Sequence, residues 1–381
     1  MITPSFSLTA TERVLPSMAL DFTTASLDSR VTFTRSGNTA TVINSSGLVA
    51  PINADLPRFD FDPTTLACRG LLIEESSVNL LTYSQDFSNV IWNVKSNCTV
   101  VTSATTDPAG GTGAYTVSAT STNGIFGRII VGTIGVPYTY SLWVKRKTGT
   151  GAVSFTVGDN VAVAVTSQVT SSWNRISVTS TPTTTTVRAY VTLATNGDEI
   201  EIYGAQLEQK AFGTSYIPTV ASQVTRTADV ATMTGTNFSD WYNATEGAFY
   251  FSFQRSSNIA TVTGLGGVSN GTNAERMRFY YNTATQTRFD ITDNSATQAL
   301  LSTTVVAGAV NKMTAGYKLN DIAASANGSV VTTDIVATLP TVNQFNIGVT
   351  PPTGGQLCGW LRQISYWPQR IIDAEVQAFS K

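Results

Sequence analysis

Carboxylates are the side chains of this sequence best able to carry acid–base chemistry, because the chain contains no histidine. That absence excludes a Ser-His-Asp or Cys-His triad, a histidine general base and a histidine-ligated zinc. Cys68, Cys98 and Cys358 lie far apart and form no CxxC pair. Buried free thiols are expected, not a zinc site or a disulfide framework. The remaining candidates are Glu74, Glu75, Asp198, Glu199, Glu201 and Glu208. A glycosidase needs two carboxyls about 5–10 Å apart across a sugar cleft. Glu74 and Glu75 are neighbours in "LLIEESSVNLL". Successive strand residues point to opposite faces, so these two share a cleft only if the strand bulges. Glu199 and Glu201 share a face but alternate with Ile200 and Ile202, as in a strand with one wet face. No enzymatic activity is expected.

Sugar binding asks for exposed aromatic faces with polar neighbours. In "PYTYSLWVKRK", Tyr138, Tyr140, Leu142 and Val144 fall on one strand face and Trp143 on the other. In "VRAYVTL", Val187, Ala189, Val191 and Leu193 oppose Tyr190. Trp143 and Tyr190 are therefore the carbohydrate-binding candidates. Trp92, Trp173, Trp241 and Trp360 follow loops or start strands and are expected to pack.

The elements that would position these residues are strands. Of 381 residues, 42% are hydrophobic and only 13% charged, with a net charge of −2. About a quarter charged is usual, so neutral Thr, Ser and Asn must cover the surface. Thr, Val, Tyr and Phe favour strands, while Gly and Asn favour turns. The expected fold is all-β: an irregular N-terminal arm, two antiparallel jelly-roll or β-sandwich domains and a short C-terminal helix. The arm spans 1–70, where prolines recur and few periodic runs exceed five residues. "TVINSSGLVAPI" in it reads as a hairpin turning near Ser46-Gly47. The first sandwich spans 71–222 and the second 223–381. The second contains the Phe249, Phe251 and Phe253 face and the hairpin signal Asn327-Gly328. Asp373 is placed to cap a helix over "AEVQAF". The near-neutral charge argues against nucleic acid, and "KRK" at 145–147 reads as a strand end. No apolar run approaches membrane-spanning length, so membrane insertion is not expected. No basic start followed by an apolar core is visible, so no signal peptide is expected.

Two stretches carry a family resemblance. "LDSRVTFTR…PRFDFDPTTLACRGLLIEESSVNLLTYSQDF" resembles a segment recurrent in tailed-phage structural proteins, and "IYGAQLEQKAFGTSYIPT…VTRTAD" resembles its closing partner. What lies between looks like a carbohydrate-binding-module-like jelly roll. "GWLRQISYWPQRIIDAEVQAF" resembles the end of a concanavalin A-like (laminin-G-like) sandwich. The resemblance implies a virion protein made in the host cytoplasm: a tail fibre, head fibre or spike. It also implies a homotrimer, docking on other virion proteins through the N-terminal arm, and attachment to a host-surface glycan. A polysaccharide-degrading spike and a purely architectural decoration protein are the alternatives. Jelly rolls of this kind often hold a structural calcium where the first and last strands meet. Glu75 and Glu208 are the candidate ligands. The competing reading has each glutamate capping a turn or pairing with Arg69 or Lys210.

Overall fold

The computed structural model describes residues 15–381, except 38–39, 160, 257–261 and 353. The regular structure of the described residues is almost wholly antiparallel β-sheet, built as two sandwiches. No described helix is long and apolar enough to cross a membrane.

The first sandwich stacks two five-stranded sheets. One runs in the order Asn174–Ser180, Tyr138–Thr148, Glu199–Glu208, Tyr115–Ala119, Cys98–Thr102. The other runs Val161–Ala164, Val153–Gly158, Thr186–Leu193, Gly124–Val131, Val94–Ser96. Strand alternation explains the core between them. Tyr140, Leu142 and Val144 face inward with Ile200 and Ile202, against Phe155, Val187, Ala189 and Val191. Each fully buried large apolar side chain contributes roughly 1.5–3 kcal/mol.

The second sandwich has larger sheets and an aromatic core. Phe249, Phe251 and Phe253 are fully buried, as their alternation predicts. Phe279 stacks on Phe289 at 4.6 Å between ring centroids, and Phe249 stacks on Phe345 at 5.7 Å. Asn327 and Gly328 both have positive φ, as a tight hairpin turn requires, and the strands Ile322–Ala326 and Thr332–Asp334 pair around them.

The second sandwich also takes strands from the first seventy residues. Met18–Asp21 and Cys68–Ile73 both pair with Gly359–Trp367, and Phe59–Phe61 pairs with Cys68–Ile73. Thr32–Thr34 pairs with Val230–Thr234 in the opposite sheet. The strands Met18–Asp21, Thr32–Thr34 and Phe59–Phe61, within the stretch expected as an arm over 1–70, thus join the second sandwich, and the jelly roll is inserted between strands of one sandwich. The physical reason is pairing demand. Gly359–Trp367 would otherwise expose a row of backbone donors and acceptors. Residues 1–14, which belong to the expected docking arm, lie outside the described residues.

The C-terminal helix Asp373–Phe379 packs on the outside of this sandwich. Val376 is fully buried and Phe379 stacks on Trp367 at 4.9 Å. Asp373 is its first residue rather than its cap. The cap position is Ile372, with no side-chain hydrogen bond, and Asp373 pairs instead with Arg370 at 2.5 Å.

Candidate functional site

Both connections between the sandwiches pass through one buried ionic seam. The entering strand Ser77–Asn79 pairs with the leaving strand Val224–Arg226. Just beyond them, Glu74 accepts from Arg58 (2.7 Å), Ser215 Oγ (2.6 Å) and Ser215 N (2.7 Å). Arg226 lies 3.4 Å from the same carboxylate. Asp229 accepts from Arg58, from Arg35 at 3.3 Å and from the Glu74 backbone N–H at 2.8 Å. All five charged side chains are buried. Burial opposes ionisation of Glu74, but Arg226, Arg58 and Ser215 outweigh it and hold its carboxyl at about 2. Glu74 is therefore a structural anion with its oxygens already taken.

Glu75 lies with it in the link between the strands Cys68–Ile73 and Ser77–Asn79 and forms an ion pair with Lys210 at the surface. Glu208 is fully buried and accepts from Ser77 Oγ (2.5 Å), Thr214 N (2.9 Å) and Thr214 Oγ1 (2.6 Å). These two residues do not fit the expected calcium site. One carboxylate faces an ammonium and the other is filled by N–H and O–H donors, where a calcium ligand must present free oxygens. Among the described residues, no group of three or more His, Cys, Asp or Glu side chains could hold a metal. The other acidic candidates are also engaged. The "KRK" run meets them across adjacent strands: Lys145 with Glu201 (2.9 Å), Arg146 with Asp198 (3.1 Å), Lys147 with Glu199 (3.3 Å).

Beside the seam lies a cleft of about 830 Å³ between the two sandwiches. One wall is the outer face of the jelly-roll sheet, with Trp143, Arg175 and Tyr216. The opposite wall, from the second sandwich, carries Asp60, Arg69 and Trp360. The hairpin Ala40–Ile43/Val49–Ile52 closes the third side and is fastened to both bodies. Thr41 Oγ1 donates to the Tyr216 carbonyl (2.6 Å), Val49 N to the Pro108 carbonyl (2.9 Å) and Ile43 N to Asp60 Oδ1 (2.7 Å).

Three tryptophans line this cleft, and each carries a cation on its ring. Arg175 lies 4.7 Å from the Trp143 centroid, Arg69 4.8 Å from Trp360 and Lys145 5.3 Å from Trp173. Such stacks fix ring planes and add roughly 0.5–1 kcal/mol or more each. Trp360 Nε1 donates to Asp60 Oδ2 (2.9 Å), and Trp173 Nε1 to the Thr106 carbonyl (2.9 Å).

Trp143 thus lies in the cleft, but not as the exposed platform expected of it. It is only 7% exposed and packs edge-on against Tyr203 and Tyr216. Gly204, at φ +59°, makes room for it, since a Cβ there would stand 2.9 Å from the indole. Tyr190 is elsewhere, outside the cleft lining, and is also 7% exposed. Its ring lies over Gly127, where a Cβ would come within 2.7 Å of it. Trp173 and Trp360, expected to pack, are the half-buried rings that face the cleft. For Trp360 the signal was present: Leu361 is a core residue, so its neighbour must face outward. Trp173 precedes its strand, and no periodicity places it.

Asp60, in the cleft, has a raised pKa. Burial pushes it up to about 6, against hydrogen bonds from Ile43 and Trp360 and the charge of Arg69. A folded-state pKa above the unfolded value contributes stability at pH below about 4, lost as pH rises through about 6. Asp60→Asn is therefore expected to flatten the dependence of the unfolding midpoint on pH between 4 and 7. Its absolute stability should fall, because an amide offers one acceptor oxygen to the two donors. Thermal melts across that range check this, and parallel wild-type and variant slopes would refute it.

No protein-family model and no curated protein sequence matches the chain. Among solved structures, the CBM40 of the Ruminococcus gnavus IT-sialidase aligns at 17% identity and a TM-score of 0.32, over 36% of this chain and 84% of that one. The NanB sialidase of Streptococcus pneumoniae aligns at 16% and 0.33, over 38% of this chain and 26% of its own. The receptor-binding domain of a botulinum neurotoxin mosaic serotype C/D aligns at 10% and 0.32, over 40% and 39%. At such TM-scores the likeness carries nothing about activity or ligand.

Proposed function

We propose that this protein is a non-enzymatic, glycan-binding virion appendage that holds a sugar chain in the cleft between its two sandwiches. The observation that carries the binding reading is the cleft itself. It brings half-buried Trp173 and Trp360 together with fixed polar groups on rigid sheet walls. Indole faces accept sugar C–H groups, while the carboxylate and guanidinium edges beside them accept and donate to hydroxyls. The virion setting and homotrimeric assembly are proposed from the resemblance of the opening and closing segments to tailed-phage structural proteins.

Binding is favoured over cleavage by the state of the carboxylates. Hydrolysis needs a second free carboxyl opposite the first. Of the three acidic residues that line the cleft, Glu74 is consumed by Arg58, Arg226 and Ser215 and Asp107 by the backbone N–H groups of Ala109, Gly111 and Gly113, leaving Asp60. The expected result of incubating the protein with capsule or lipopolysaccharide is saturable binding without new reducing ends. Cleavage abolished by Asp60→Asn would overturn the non-enzymatic reading. Light scattering is expected to give about three times the 40.5 kDa chain mass, and a monomer at all concentrations would count against the trimer.

A further inference from the structure

We propose that Asp60 is the positioning residue of the cleft: its one carboxylate ties the Trp360 ring to the hairpin wall, and a glycan binds at full strength only while both ties are made. This deepens the glycan reading above and rests on it.

Asp60 stands where two walls of the cleft meet. Its Oδ1 accepts from the Ile43 backbone N–H of the hairpin at 2.7 Å, and its Oδ2 from Trp360 Nε1 at 2.9 Å. All three residues line the cleft, and Ile43 and Trp360 are half-buried there. The indole is thus held at its edge by Asp60 while Arg69 stacks on its face. Trp173, the other half-buried ring of the cleft, is held differently. Its Nε1 donates to the Thr106 carbonyl, a group that does not titrate.

An ionised carboxylate offers both oxygens as acceptors, whereas protonation turns one of them into a donor. Protonated Asp60 therefore faces two N–H donors with one good acceptor, and either the ring or the hairpin comes loose. A loosened ring or wall must be ordered again when a ligand binds, and that cost comes off the affinity.

The charged groups that act on Asp60 are Arg69 and Glu74, and Cys68 and Arg175 feel its charge in turn. Arg58 and Asp62 flank its own strand, and Gly359–Trp367 adds Arg362, which donates to the Arg69 carbonyl at 3.3 Å. The hairpin strands Ala40–Ile43 and Val49–Ile52 carry no titratable side chain. Glu74 stays ionised down to about 2, and burial pushes the Cys68 thiol up. The Thr65 N–H and the Arg69 guanidinium hold Asp62 well below the usual carboxylate range. Guanidinium groups keep their charge, and the chain has no histidine. Asp60, titrating at about 6, is the member of this cluster that changes charge between pH 5 and 7.5.

The test is calorimetric titration of the full chain at pH 7.5 and pH 5, with neutral and acidic oligosaccharides that do not themselves titrate in that range. Affinity is expected to be several-fold lower at pH 5, and at most about tenfold, the limit for one proton taken up at about 6. Unfolding cannot produce this fall, because the raised pKa of Asp60 favours the folded state more at pH 5 than at pH 7.5. Asp60→Asn should bind at both pH values as weakly as the wild type does at pH 5. Trp360→Phe, which lacks the indole N–H, should bring the two affinities within about twofold of each other, and serves if the asparagine variant misfolds. Trp173→Phe should keep the wild-type ratio. A wild-type ratio within about twofold, or one that survives Trp360→Phe, overturns the role of Asp60 and leaves the cleft reading standing. Binding of no oligosaccharide at either pH overturns both.

Discussion

Asp229→Asn is expected to destabilise the protein by about 3–5 kcal/mol, the usual cost of removing one partner from a buried ion pair. The seam holds Arg35, Arg58 and Arg226 against Glu74 and Asp229, an excess of one positive charge (3 − 2). Neutralising Asp229 raises the excess to two (3 − 1) with every member still buried. It also leaves one acceptor oxygen where two now serve Arg58, Arg35 and the Glu74 backbone N–H. Adding Arg35→Met returns the excess to one (2 − 1), so the double variant should recover part of the loss. Coupling between such neighbours is typically 0.5–3 kcal/mol. The effect should also be visible in cooperativity. Both chain crossings between the sandwiches run beside this cluster, so its loss should split calorimetric unfolding into two transitions. A midpoint unchanged by Asp229→Asn would mean that the seam does not hold the two bodies together. Acid should act on the same cluster. Glu74 titrates at about 2 when folded, so its contribution is present above about pH 4.5 and lost as pH falls toward 2.

Trp173→Ala and Trp360→Ala are each expected to weaken glycan binding about 30-fold or more. That corresponds to the roughly 2 kcal/mol that marks an energetic anchor in a binding site. Both rings are half-buried, so much of what they lose on truncation is the face offered to a ligand. Their effect on stability should be smaller than that of Trp143→Ala. Trp143 packs edge-on against Tyr203 and Tyr216 and carries Arg175 on its face. Its truncation should cost about 3–5 kcal/mol as a core cavity. The informative outcome is therefore a separation: two variants that fold with wild-type-like melts and lose affinity, and one that loses both. Undiminished affinity in Trp173→Ala and Trp360→Ala would place the ligand elsewhere. The groove along Gly124–Val131, about 660 Å³ and lined by Arg128 and Ile130 among others, would then be the next surface to test.

Local patterning carried the sandwich cores. Leu142 and Val144, Ala189 and Val191, and Phe249, Phe251 and Phe253 are all buried in cores, because period-two alternation is a property of the strand alone. Glu74 and Glu75 also part, one to Arg58 and the other to Lys210, but they do so in the link between two strands, where alternation does not apply. Alternation put Trp143 on the face away from the core. It could not say that Thr41 to Val49 would fold over that face and bury the ring. Tyr190 failed for a related reason: facing away from a core does not ensure exposure when a neighbouring glycine lets the ring lie flat on the sheet.

By itself the sequence determined the all-β class, the strand faces, the hairpin at Asn327-Gly328 and the exclusion of histidine chemistry. Each of these follows from residue type or from spacing within about ten residues. Tertiary structure alone decided that Met18–Asp21 and Cys68–Ile73 complete the sheet around Gly359–Trp367, some 290 or more residues away. It alone brought Asp60, Trp143, Trp173, Arg175 and Trp360 to one cleft. Such contacts depend on which sheet edges remain unpaired and which charges must find partners once the cores have closed. Those are demands of the whole chain and leave no mark in any local stretch of it.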